Sequence, residues 1–239
     1  MQSSIARTSK QEMELVPYAR RFLASGLGNA LLSQGIILFL LSGLPGVAQA
    51  NCLDEVRALF RDHLDTTKWP PYRSVVIIRS ADGRIEAEAN NIVEKPGRTI
   101  GSFSGGPYTL SVDGKFWTGP SPQGPWTSAP AINAPAQGEA HARMHAQQLA
   151  NLRDVECPGE AQLDGRRVLI YIFSTRTDPD PAVGGHWFGG RAKVYLDPST
   201  REVLRWDEFE AEGSFSMGDR KSTTEQTYIY DPTIRVNAP

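Results

Sequence analysis

Residues 192–200, Ala-Lys-Val-Tyr-Leu-Asp-Pro-Ser-Thr, and the Val203-Leu204-Arg205-Trp206 that follows decide the fold. Asp197-Pro198-Ser199-Thr200 is turn chemistry between two apolar-rich runs. The runs at 191–196 and 202–211 are therefore expected as consecutive antiparallel strands. Just upstream, Val168-Leu169-Ile170-Tyr171-Ile172-Phe173 is apolar on both faces, which predicts a central strand over Arg167–Ser174. Residues 223–230 supply another strand, reached through a connection at Gly213–Arg220.

The first half repeats the pattern. Ser74–Ser80 is rich in Val and Ile, Ala81-Asp82-Gly83-Arg84 reads as a tight turn, and Ile85, Ala87 and Ala89 alternate after it. Tyr108, Leu110 and Val112 alternate before Asp113-Gly114, and Lys115-Phe116-Trp117 returns. A Pro/Gly/Ser-rich stretch over 119–136 predicts a surface loop. Two segments carry helical spacing instead. Leu53, Val56, Phe60 and Leu64 form one stripe, ended by Trp69-Pro70-Pro71. Glu139–Arg153 carries the other, with Ala142, His145, Ala146, Leu149 and Leu152 facing inward. Strands run consecutively without βαβ alternation. The fold class expected is α+β: a curved antiparallel sheet, an open half-barrel, packed over two or more helices.

Residues 22–50 carry no charge, in a chain that is 22% charged. Arg20-Arg21 precede them, Ile36-Ile37-Leu38-Phe39-Leu40-Leu41 is their apolar centre, and Ala48-Gln49-Ala50 closes them. Basic region, apolar region and A-x-A site in this order predict a signal peptide over 1–50, cleaved after Ala50. The alternative is an uncleaved anchor, which is the single way this reading brings the protein to a membrane. Arg20-Arg21-Phe22-Leu23 lacks the spacer residue of a twin-arginine signal. Residues 51–239 are expected as a single domain, periplasmic or secreted. The leader holds four basic and two acidic residues, so the −2 of the whole chain becomes −4 after cleavage. That balance argues against nucleic acid as a partner.

Cys52 and Cys157 are the chain's two cysteines, and both follow the cleavage point. In an oxidising compartment the pair predicts a disulfide; two free thiols are the alternative.

Chemistry-bearing motifs are sparse. His141 and His145 have a zinc-compatible spacing, but Ala142-Arg143-Met144 between them lacks a metalloprotease glutamate and no third ligand is evident. There is no G-x-S-x-G elbow and no phosphate-binding glycine loop. Asp178-Pro179-Asp180-Pro181 lacks the ligand count of a calcium site and reads as a turn. Glu208, Glu210 and Glu212 alternate and read as a solvated strand face. No catalytic residue, metal or cofactor is expected. What remains is aromatic: Trp117, Phe173, Trp187, Phe188, Tyr195 and Trp206 are the candidates to line a hydrophobic ligand. Paired glycines, 184–185 and 189–190, flank Trp187-Phe188, which suggests a loop at one mouth of the half-barrel.

The order of elements resembles a known group. Asp113-Gly114-Lys115-Phe116-Trp117, Gly124-Pro125-Trp126, the 192–206 hairpin and Tyr228-Ile229-Tyr230-Asp231-Pro232-Thr233-Ile234-Arg235-Val236 are similar to the periplasmic lipoprotein-carrier superfamily, the LolA-like and LppX-like proteins. The resemblance covers most of 51–239. It implies an open half-barrel closed by helices, several members of which hold lipid chains. It carries over no ligand-contacting residue. The function expected is non-catalytic binding of a lipid or acyl chain in the envelope, as carrier or sensor. The alternatives are an envelope protein-interaction or stress-sensing module on the same fold, and a hydrolase with a carboxylate site.

Overall fold

The computed structural model divides the chain into Met1–Ser42 and Gly43–Pro239. It describes residues 45–130, 137–181, 185–214 and 222–239, all in the second unit. Most of the expected leader therefore lies outside the described residues, as do residues 215–220 of the connection expected at Gly213–Arg220.

Helix α1 spans Pro45–Asp62, so the predicted cleavage point falls inside it. Its buried side chains are Cys52, Val56, Leu59, Phe60 and then Leu64 just beyond its end. Asp65 starts a short 3-10 turn by accepting from the Thr67 N–H at 3.0 Å, and Pro70-Pro71 prevents continuation. Strands β1 (Tyr72–Arg79), β2 (Ile85–Lys95), β3 (Arg98–Phe103), β4 (Tyr108–Val112), β5 (Lys115–Gly119) and β6 (Thr127–Ala129) follow as a meander. Helix α2 (Gln137–Ala150) leads to a second meander: β7 (Arg153–Leu163), β8 (Arg166–Arg176), β9 (Phe188–Leu196), β10 (Val203–Gly213) and β11 (Thr223–Tyr230).

The two meanders make one antiparallel sheet of eleven strands, ordered β6-β5-β4-β3-β2-β1-β11-β10-β9-β8-β7. Its end strands β6 and β7 do not pair, so the sheet stays open. The expected curved sheet over helices is the architecture found. The seam is β1 against β11, from Tyr72↔Tyr230 to Arg79↔Thr223.

Three clusters fill the structure. On one face, α1 lays Val56, Leu59, Phe60 and Leu64 on Tyr171, Phe173, Ala192, Val194, Leu196 and Val203; Leu149 and Leu152 join from the α2 side. We call this the helix face. Behind it, Val168, Ile170 and Tyr195 pack on the opposite face of β8–β10. The alternation 168/170 against 171/173 confirms a strand buried on both sides. The third cluster sits on that same opposite face of β2–β5, where Leu110 and Val112 are covered by Ile234 and Val236 of the C-terminal tail. Arg98 Nη1 donates to the Val236 carbonyl at 3.3 Å, and the Val236 N–H donates to Glu94 at 2.8 Å, fixing the tail there.

Several elements differ from the sequence expectation. The strand β3 is short and contains Gly101, and β7 carries Pro158-Gly159 and four charged residues, so neither shows a clean strand pattern. An end strand such as β7 needs only one ladder partner, which is why it tolerates Pro. Arg153 belongs to β7 and not to α2, and β6 lies within the stretch expected as loop. Among the described residues no helix is long and apolar enough to cross a membrane.

The β9–β10 turn is held by one carboxylate. Asp197 accepts from the Ser199 hydroxyl, the Thr200 N–H (3.0 Å), the Ser199 N–H (2.8 Å) and Arg166 (2.5 Å). The Ser199 hydroxyl and these N–H donors hold its pKa far below the usual carboxylate range. Its folded pKa is depressed, so its contribution is full above the unfolded pKa, about 4, and is lost as pH falls through the folded value. Asp197→Ala should cost about 1.5–3 kcal/mol at pH 7. Urea unfolding of both proteins should show that gap constant above about pH 4 and narrowing below it. A gap that widened in acid would contradict the turn's chemistry.

Candidate functional site

The register of the central strands places two rows of side chains across the helix face. One row runs Glu208–Thr224–Ile78–Ala87, over β10, β11, β1 and β2. The next runs Trp206–Gln226–Val76–Ala89–Phe103 and reaches β3. Strands lie about 4.8 Å apart, so the longer row spans about 19 Å over five strands; we call the two rows the trough. Val76, Ile78, Ala87 and Ala89 are half-buried, Phe103 is 60% exposed, and none of the five belongs to a core cluster. Among the described residues, the core cluster beneath the helices draws on β7 to β10 and on Tyr228 of β11, and on no residue of β1, β2 or β3.

A polar row borders the trough. Asn91 and Gln226 both donate to Ser74 Oγ, at 3.3 and 3.0 Å, and Gly101 keeps the surface low because a Cβ there would lie 2.8 Å from Asn91 Oδ1. Beyond that row, Trp69, Tyr72, Tyr228 and Tyr230 make an edge-to-face cluster with centroids 5.1–6.1 Å apart. Trp69 Nε1 donates to the His63 carbonyl at 2.7 Å and Tyr230 donates to the Val203 carbonyl at 3.0 Å, so this wall is tied to α1 and β10. Burial pushes the Tyr228 hydroxyl well above its ordinary pKa.

At the other end stands Glu208. Its carboxylate lies over Gly190, whose Cβ, if present, would be 3.0 Å from Glu208 Oε1. It has no hydrogen bond or ion pair among the described residues, and burial raises its pKa. Glu208, Glu210 and Glu212 do not share the solvated face expected of them. A bulge between Phe209 and Glu212, with Glu210 at φ 54°, breaks the alternation. Glu212 pairs with Arg153 at 3.0 Å, Glu210 is exposed, and Glu208 remains on the helix face.

The six aromatic candidates fall at four places. Trp206 lies in the trough row and meets Phe173 edge-on at 5.8 Å; Phe173 is 0% exposed beneath α1. Tyr195 is on the opposite face, donating to Asp207 at 3.0 Å with Lys193 and Arg205 over its ring. Trp117 packs with Leu110 and Trp126 under the C-terminal tail. Trp187 and Phe188 have their main chain clamped by Thr177 and Ser214, and the Phe188 side chain is 42% exposed two residues from Gly190. Sequence reasoning did not single out Val76, Ile78, Ala87, Ala89 or Phe103; the small alanines opposite a Val/Ile strand were the available signal. Cys52 and Cys157 are joined, with Cα atoms 5.9 Å apart, which is the expected disulfide.

Two further cavities lie apart from the trough. One of about 320 Å³ is lined by Arg153, Asp154, Arg191, Glu210 and Glu212, but Arg153 is paired with Asp154 and Glu212, and Arg191 with Glu156. The other, about 270 Å³, lies between the end of α1 and α2 beside His145 and Leu149. Burial lowers the His145 pKa. His141 donates to or accepts from Thr66 Oγ1 at 3.1 Å, and no group of three metal-binding side chains occurs among the described residues.

No protein-family model matches the chain, and no curated protein matches it. Solved structures do. The lipoprotein LppX of Mycobacterium tuberculosis is 13% identical, with a TM-score of 0.47, covering 77% of this chain and 99% of its own. LprF of Mycobacterium bovis is 14% identical, with a TM-score of 0.46 and coverages of 78% and 97%. The MucA/MucB complex of Pseudomonas aeruginosa gives 14% identity, a TM-score of 0.37 and coverages of 75% and 56%. LppX is among the proteins the sequence resembles.

Proposed function

We propose that this is an exported envelope protein that binds, without chemistry, a single apolar chain in the β10–β3 trough. One observation carries the reading: a stripe of half-exposed, mostly apolar side chains, crossed at β11 by Thr224 and Gln226, on the very face whose other half is buried under helices. A chain laid along it gains about 0.8 kcal/mol per buried methylene. The uncharged leader supports export. Phe188 and Trp187, at the Glu208 end, suit the role of a lip over the bound chain.

The polypeptide-binding alternative would use a sheet edge or the loops. Here β6 has three residues, and β7 carries Pro158 and two register shifts, devices that blunt strand addition. The two edges therefore do not support strand addition, which leaves the apolar chain as the reading we take. Native mass spectrometry of the full chain with dodecanol should show a one-to-one complex, and Phe103→Asp should weaken it tenfold or more. Phe103 is surface-exposed, so the variant should unfold at the same denaturant concentration as the parent. Unchanged dodecanol binding in Phe103→Asp would remove the trough as the site.

A further inference from the structure

We propose that Glu208 makes the trough selective for amphiphiles with a protonated amine head. The inference rests on the trough reading and adds the head-group chemistry. Glu208 stands at the end of the Thr224–Ile78–Ala87 row, so a chain lying on that row brings its head to the carboxylate.

Charge placement on β10 and its neighbours points the same way. On the opposite face the carboxylates have cations: Asp207 and Glu225 share Arg205 at 2.6 and 3.0 Å, and Glu156 holds Arg191. Glu208, on the helix face, has none. The floor beside it is Thr224, Gln226, Trp206, Ile78 and Val76, with no basic side chain, and its charge acts on the Tyr228 hydroxyl. An anionic head would meet a carboxylate and, among the described residues, no counter-charge. An ammonium would meet an unpaired acceptor in a half-buried site, where a charge-assisted hydrogen bond is at its strongest. Gly190 leaves the space: any larger residue would press on Glu208 Oε1, already 3.0 Å from the Cβ position.

The test uses the full chain and three probes with the same tail: dodecylammonium, dodecanoate and dodecanol, titrated calorimetrically at pH 7 below their micellar concentrations. Dodecylammonium should bind at least tenfold more tightly than dodecanoate. Glu208→Gln, nearly isosteric, should bring the two within about threefold while dodecanol affinity stays unchanged. Added salt should weaken dodecylammonium binding to the parent more than to Glu208→Gln. Equal affinity of parent protein for amine and carboxylate, with dodecanol still bound, overturns the head-group proposal alone. A preference that survives Glu208→Gln also overturns it. Failure of all three probes to bind overturns the trough reading and this proposal with it.

Discussion

Cys52→Ser, Cys157→Ser and the double variant should each lose about 2–5 kcal/mol of stability, a fall in melting temperature on the order of 10 °C for a chain this size. The bond joins α1 to the end strand β7 and closes 105 residues, a loop for which chain entropy alone allows about 4.7 kcal/mol. It reaches an edge where packing is thin. The exposed and half-buried positions of β7 alternate, so the strand buries little against the core. The apolar anchors of α1 remain without the bond, so the variants should fold, and their far-ultraviolet circular dichroism should match the parent. Chemical denaturation in oxidising buffer measures the loss. The three variants should agree within about 0.5 kcal/mol, because each removes the same covalent link. Losses that add between the single variants, or a loss under about 1 kcal/mol, would show that the bond does not hold the helix to the edge.

Phe173→Ala should cost about 3–5 kcal/mol. Phe173 is fully buried and meets Phe60 of α1 at 5.1 Å and Trp206 at 5.8 Å, both edge-on. Each such contact adds about 0.5–1.5 kcal/mol to the area term. Phe173→Leu keeps most of the volume and should recover all but about 1.5 kcal/mol. Urea unfolding separates the two. Phe173 was a ligand candidate by composition; its position makes it the post on which α1 and the trough wall both lean. A stable Phe173→Ala protein would mean that α1 is held by something other than this core.

The fold was legible where burial is symmetric or one-sided. The run 168–173 announces a strand covered on both faces, and the 192–206 hairpin fixes its neighbour's direction. The stripe Val56–Phe60–Leu64 announces a helix that needs a sheet beneath it. Strand β7 was illegible because an end strand has weak demands on its side chains, and Pro158 reads as a breaker. The trough was illegible for another reason. Its members come from β1, β2, β3, β10 and β11, and the pairing of β1 with β11 brings together residues such as Ser74 and Gln226, 152 positions apart. No local pattern encodes that seam. The glutamates at 208, 210 and 212 misled because alternation fails at a bulge, and a bulge leaves no dependable mark in a single sequence.

The same seam sets the order in which the molecule can be completed. A chain delivered N-terminus first presents β1 to β6 with one long side of β1 unsatisfied until β11 arrives. During that interval the Val75–Ile78 edge is open to any other extended chain, and a contact spanning most of the sequence closes slowly. The last strand and the tail behind it, with Ile234 and Val236 on the first meander, then finish both faces together. Stalled or truncated chains would thus be sticky, with β1 unshielded until the final strand is free.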